Sequence, residues 1–147
     1  MITIKKILCP LDLSAEHTKK IVDYAQTLAK ALNAEVIACF VTSSFDQMSG
    51  YKLDIPELMD DYISKLTGMA EEDLKKLCVN EFKDIKASYR IVNGYPAEEI
   101  LALAEKENVD FIVMGTNGRK GLNHFIFGSV AEKVVKSSSI PVMTIKP

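Results

Sequence analysis

Short apolar runs alternate with longer stretches in which apolar residues recur every three or four positions, and this alternation along the whole chain leaves few folds available. Ile4 to Leu11 is the first run, and its centre, Ile7, Leu8 and Cys9, is continuous, as expected of a strand covered on both faces. Ser14 has the chemistry of an N-cap, and Ile21, Val22, Ala25, Leu28, Ala29 and Leu32 follow on one helical stripe that Asn33 can end. Glu35 to Val41 reads as a second buried strand. Thr42 to Ile55 loses periodicity, gathers Ser, Asp, Gly and Lys, and reads as a loop. Beyond Pro56, the spacing of Met59, Tyr62, Ile63, Leu66, Met69, Ala70, Leu74, Leu77 and Cys78 predicts a long amphipathic helix to about Val79. Gly68 offers it a kink, and its methionines are expected to fill the core.

Ala87 to Val92 alternates more and predicts a more exposed strand, after which Asn93-Gly94 turns the chain. Pro96 suits a first helical turn, Glu98 and Glu99 complement its dipole, and Ile100, Leu101, Leu103 and Ala104 face inward up to a stop at Asn108. Asp110 to Met114 is a fourth strand, Ser129 to Ser137 a short helix, and Pro141 to Lys146 a fifth strand. Strands alternating with helices give an α/β fold, a parallel sheet wrapped on both faces, because each right-handed crossover returns the chain to the same end of the sheet. Ligands in such sheets bind beyond the carboxyl ends of the strands, so the loops after strands one and four carry the expected site.

With 147 residues and 48% hydrophobic content, residues 1–147 are expected to form one domain that needs no disulfide or metal staple. Eighteen basic against 20 acidic residues leave a net charge of −2, which argues against a basic face for duplex nucleic acid. Cys9, Cys39 and Cys78 fit no CxxC or metal-ligand spacing and read as buried thiols of a reducing compartment. The opening apolar run is too short for a signal sequence or membrane span, so a cytoplasmic protein with no membrane partner is expected.

Four of the seven glycines, Gly115, Gly118, Gly121 and Gly128, fall in the single connection after Met114. Glycine lets a ligand approach the backbone, so successive N–H groups can hold an anion. Arg119 and Lys120 add charge, and Ser129 opens a helix whose first amides have no internal partners. The bland alternative is ordinary tight turns, with Ser129 and Glu132 forming an S-x-x-E capping box. Neither a Walker A loop nor GxGxxG is present, which disfavours conventional P-loop hydrolysis and dinucleotide chemistry.

Gly115-x2-Gly118-x9-Gly128-Ser129 resembles the nucleotide-binding signature G-x2-G-x9-G-[ST] of the universal stress protein family. Lys6 to Ser14 is similar to that family's opening strand, and Ser139 to Ile145 to its closing one. The resemblance implies an open five-stranded parallel sheet of order 3-2-1-4-5, an adenine nucleotide between the ends of strands one and four, and a homodimer. Carried over by position, it implies that Pro10 lines the pocket, Asp12 meets the ribose or a metal, Val41 meets adenine through its backbone, and Met114 packs nearby. Gly115, Thr116, Asn117, Gly118, Arg119, Lys120 and Gly121 would wrap ribose and phosphates, and Gly128, Ser129, Val130 and Ala131 would receive the phosphate tail.

The expected ligand is therefore ATP, AMP or ADP, with Mg2+ or Mn2+ held through the phosphates. No residue is assigned a catalytic role: no G-x-S-x-G elbow occurs, His17 and His124 lack ligand or carboxylate partners in the sequence and read as surface residues, and Asp12 is the obvious candidate base. ATP hydrolysis is expected to be weak or absent in a stress-response regulatory module with an unidentified protein partner. Two other functions fit the sequence. One is a nucleotide-independent homodimeric scaffold joined through the fifth, edge strand; the other is a small enzyme acting on an adenylated metabolite.

Overall fold

The computed structural model describes residues 1–13, 15–43, 56–116 and 127–147. Ser14 as an N-cap, nearly all of the expected 42–55 loop, Asn117 to Gly121 and His124 lie outside the described residues. The elements follow the expected alternation: β1 (Lys6–Pro10), α1 (Ala15–Leu32), β2 (Glu35–Thr42), α2 (Pro56–Asn80), β3 (Ala87–Asn93), α3 (Pro96–Lys106), β4 (Phe111–Gly115), α4 (Ser129–Ser137) and β5 (Val142–Ile145). The strands are parallel, in the order β3-β2-β1-β4-β5. After β3 the chain crosses to the far side of β1, so the direction of winding reverses between β1 and β4.

Alternate residues of the central strands feed two cores. Ile7, Cys9, Val36, Ala38 and Val113 pack on one face with Val22, Ala25 and Ala29 of α1 and Ala70 and Leu74 of α2. Leu8, Ile37, Cys39 and Ile112 pack on the other with Ile100 and Leu103 of α3 and Val134 of α4. Burial on both faces is why the central runs are continuously apolar. Asn33 and Asn108 end α1 and α3 in left-handed backbone, at φ 53° each, where asparagine is tolerated better than branched residues. Ala34 N–H then donates to Ala29 O, and Val109 N–H to Ala104 O, at 2.9 Å each, closing the helix ends.

Three expectations are corrected. Met69 is 65% exposed and Tyr62 44%, so the first half of α2 does not fill the core. A helix of 25 residues is about 37 Å long, whereas the eight residues of β2 span about 26 Å, so the helix outruns the layer it covers. Leu32, in the last turn of α1, is also exposed. Cys9 and Cys39 are buried as expected, but Cys78 is only half-buried. Burial pushes all three thiols up, Cys39 to about 12, which holds them as inert protonated thiols.

The amino ends of the strands are tied by charge. Asp110 Oδ2 accepts from the backbone N–H groups of Lys5 and Lys6 at 2.9 and 3.0 Å, while Glu35 lies 2.9 Å from Lys86 Nζ and 3.5 Å from Lys6 Nζ. The hydrogen bond from Lys86 is the main cause that holds the Glu35 carboxyl below its ordinary value of 4.5. A carboxyl depressed on folding adds stability above its unfolded pKa and loses it as pH falls through the folded one. The Tm difference between wild type and Glu35→Gln is therefore expected to be present at pH 7 and to fade as the pH falls below the ordinary value of 4.5 and through the depressed folded pKa. A difference that grows on acidification contradicts this assignment.

Candidate functional site

Among the described residues, two breaks in the backbone ladder and an uncapped helix start frame a crevice above the carboxyl end of β1. The first lies toward β4. Odd-numbered residues of β1 bond to β2, the series ending with Leu11 N–H to Cys39 O at 2.8 Å, so even-numbered residues face β4. Pro10 occupies the next even position and has no N–H to give. The β1–β4 register accordingly ends at Leu8↔Ile112, although β4 runs on to Gly115.

The second break lies toward β2. Leu13 adopts φ 62° and, among the described residues, is the sole bulky side chain of the four non-glycine positions with positive φ. Such a conformation costs on the order of 1–3 kcal/mol. It turns the chain off the line of β1, while the Leu13 side chain stays packed against the α1–α2 core. The odd-numbered residues of β2 face β1, and the next one past Cys39 is Val41. Its N–H and C=O point into the space above β1 and have no backbone partner among the described residues. With strands about 4.8 Å apart, the gap from β2 to β4 over the end of β1 is about 10 Å.

The third side of the crevice is the start of α4, at the end of the glycine-rich connection. Thr116 is buried, and its N–H donates to Ile145 O at 3.0 Å, extending the pairing of β4 with β5. Its carbonyl accepts from Gly128 N–H at 2.6 Å, so the two ends of the segment are held together and α4 starts beside the end of β4. Gly128 is the N-cap, at φ −59° and ψ 153°, with no side-chain cap. The capping box read from the sequence is therefore not formed. Ser129 is already helical, and Glu132 instead pairs with Lys136 at 2.8 Å. The N–H groups of Ser129, Val130 and Ala131 are left without acceptors among the described residues, at the positive end of the helix dipole.

The structure thus brings together Pro10, Asp12, Val41, Met114, Gly115, Thr116 and the first turn of α4 at the carboxyl end of the sheet, around the reversal point. Pro10 and Met114 are buried, and Asp12 and Val41 are half-buried. His17, expected at the surface, is half-buried. It lines a cavity of about 70 Å3 with Lys20, Gly115, Thr116, Ile145 and Lys146. Sequence reasoning missed the left-handed Leu13, the Thr116–Gly128 bond and the extension of β2 to Thr42. No local signal marks any of the three, and a leucine is among the residues least expected at positive φ.

These features define an open, doubly wound parallel α/β protein with its crevice at the switch point. The universal stress protein family model matches residues 3–146, and the chain belongs to that family. Universal stress protein MJ0531 of Methanocaldococcus jannaschii is 33% identical, over 97% of this chain and 82% of its own. Universal stress protein MJ0577 of the same organism is 34% identical, over 97% and 94%. The solved structure of hypothetical protein MJ0577 superposes with a TM-score of 0.85 at 32% identity, covering 99% of this chain and 98% of that one. A universal stress protein from Archaeoglobus fulgidus in complex with dAMP shares the fold, with a TM-score of 0.68 at 18% identity over 99% and 100% of the two chains. Among the described residues no helix is long and apolar enough to cross a membrane.

Proposed function

We propose that this chain is an adenine-nucleotide-binding regulatory module whose ligand is ATP, with AMP and ADP as related occupants. The observation that carries the reading is the pair of backbone groups on Val41 at one side of the crevice and the three helix amides of α4 at the other, all without backbone partners among the described residues. Val41 offers one acceptor and one donor in line, matching the N6 amino group and N1 of adenine. The α4 amides suit a phosphate tail. Asp12 would accept from a ribose hydroxyl or complete the shell of a Mg2+ or Mn2+ ion held through the phosphates. The family relative in complex with dAMP supports the base and the first phosphate, not the full triphosphate.

Gly115 and Thr116, with Asn117 to Gly121, complete the proposed wrap around ribose and phosphates. Hydrolysis would need a positioned base besides Asp12, so turnover is proposed to be slow or absent. The reading includes a cytoplasmic homodimer and a protein partner that senses the bound state. A ligand that binds only the folded protein must raise its Tm. Purified protein is therefore expected to melt higher with ATP and Mg2+ and to release an adenine nucleotide on denaturation. No shift at millimolar ATP together with no released nucleotide refutes the reading.

A second reading, a nucleotide-independent dimeric scaffold, has one observation in its favour: β5 is an edge strand of the sheet, with Met143 and Ile145 packed on one face and Val142 on the other. A monomeric mass at micromolar concentration removes it.

A further inference from the structure

We infer that Asn93 is a positioning residue for base recognition: with the Gly94 N–H, its side-chain amide locks the Thr42 carbonyl and so holds Val41 in line where β1 no longer supports it. The inference deepens the nucleotide reading and rests on it. Past Cys39, β2 has a neighbouring strand on one side only among the described residues, and strand ends with so little support open at low free-energy cost. Thr42 counters this. It is 2% exposed, and its hydroxyl donates to Val92 O at 3.3 Å while accepting from Asn93 Nδ2 at 2.8 Å. Its carbonyl accepts twice, from Asn93 Nδ2 at 3.0 Å and from Gly94 N–H at 2.9 Å.

A carbonyl oxygen can only accept, so Asn93 must turn its nitrogen inward, and one NH2 group then serves both acceptors of Thr42. The turn is shaped for this delivery. Gly94 has φ +152°, and a Cβ there would lie 2.5 Å from Glu99 Oε1 and 2.7 Å from its Cγ. The peptide joining Val41 to Thr42 carries the Val41 carbonyl on one edge and the Thr42 N–H on the other. Fixing Thr42 therefore fixes the direction in which Val41 presents its acceptor. Without the clamp the end of β2 can rotate, and recognition of the base suffers while the α4 amides, on the other side of the crevice, keep their hold on phosphate.

Calorimetric titration of wild type, Asn93→Ala and Thr42→Val with ATP, inosine triphosphate and inorganic tripolyphosphate tests this. Inosine reverses adenine's donor and acceptor, so the ratio of the two nucleotide affinities reads the Val41 edge, and tripolyphosphate reads the phosphate-binding side of the crevice without the base. Wild type is expected to prefer ATP over inosine triphosphate by about tenfold or more. Asn93→Ala should bring that ratio to within about twofold of one without changing tripolyphosphate affinity. Thr42→Val, which keeps the branched shape and the carbonyl, should lower the ratio partway and decides the matter if Asn93→Ala does not fold. An unchanged ratio in the variants, or an equal loss for all three ligands, overturns the positioning role while leaving nucleotide binding intact. Failure of wild type to bind any of the three refutes the parent reading instead.

Discussion

Ser129→Pro is expected to remove most of the ATP-induced rise in Tm while leaving the ligand-free Tm nearly unchanged. Proline is tolerated at the first position of a helix, where its fixed φ is already helical and its missing N–H has no helical acceptor. Gly128, the preceding residue, already has the extended ψ of 153° that proline demands of its neighbour. The substitution therefore deletes one first-turn donor and the serine hydroxyl without breaking α4. A hydrogen bond to a charged group contributes about 1.5–3 kcal/mol, so the Kd for ATP should rise roughly 10- to 150-fold. Ser129→Ala, which loses only the hydroxyl, should fall well short of that. Equal ATP affinity for wild type and Ser129→Pro would mean that the start of α4 carries no phosphate.

The largest loss of stability is expected from Leu8→Ala. Leu8 is fully buried at the centre of β1, the middle strand of the sheet, and packs with Ile37, Ile112 and the inward residues of α3 and α4. Removing it forfeits the transfer free energy of its methyl groups and leaves a cavity that four surrounding elements can collapse only in part. The cost should be about 2–5 kcal/mol. For a chain of this size that is a fall in Tm of roughly 5–15 °C, measurable by calorimetry or by the urea midpoint. Leu58→Ala on the exposed part of α2 should change stability by less than about 0.5 kcal/mol, because Leu58 is 64% exposed. A comparable loss at Leu58 would show that the first half of α2 is covered in solution.

Much of the fold was legible because its causes are local. The continuous run Ile7-Leu8-Cys9 meant a strand with two covered faces, Pro96 and the acids after it meant a helix start, and Asn33 and Asn108 marked helix ends that the backbone confirms with φ 53°. The packing of α2 was not legible: a 3.6-residue period says which residues share a face, but not how far the neighbouring layer extends. Met69 and Tyr62 therefore lie on the helical stripe and yet stand in solvent.

The site divides in the same way. The glycine signature and the residues beside it could be named from the order of amino acids, since a backbone that must approach an anion needs glycine whatever surrounds it. Whether Ser129 caps its helix or begins it could not, because S-x-x-E becomes a box only when the serine is non-helical. That was decided by the bond from Gly128 to Thr116, which sets the cap one residue earlier. Likewise Asn93-Gly94 announced a turn, but the use of its amide on Thr42, 51 residues away in the chain, exists only once β2 and β3 lie side by side. Sequence determined the elements and the chemistry they carry, through short-range sterics and hydrophobic period. Tertiary structure decided which backbone groups stay unpaired, because pairing depends on where a neighbouring strand stops.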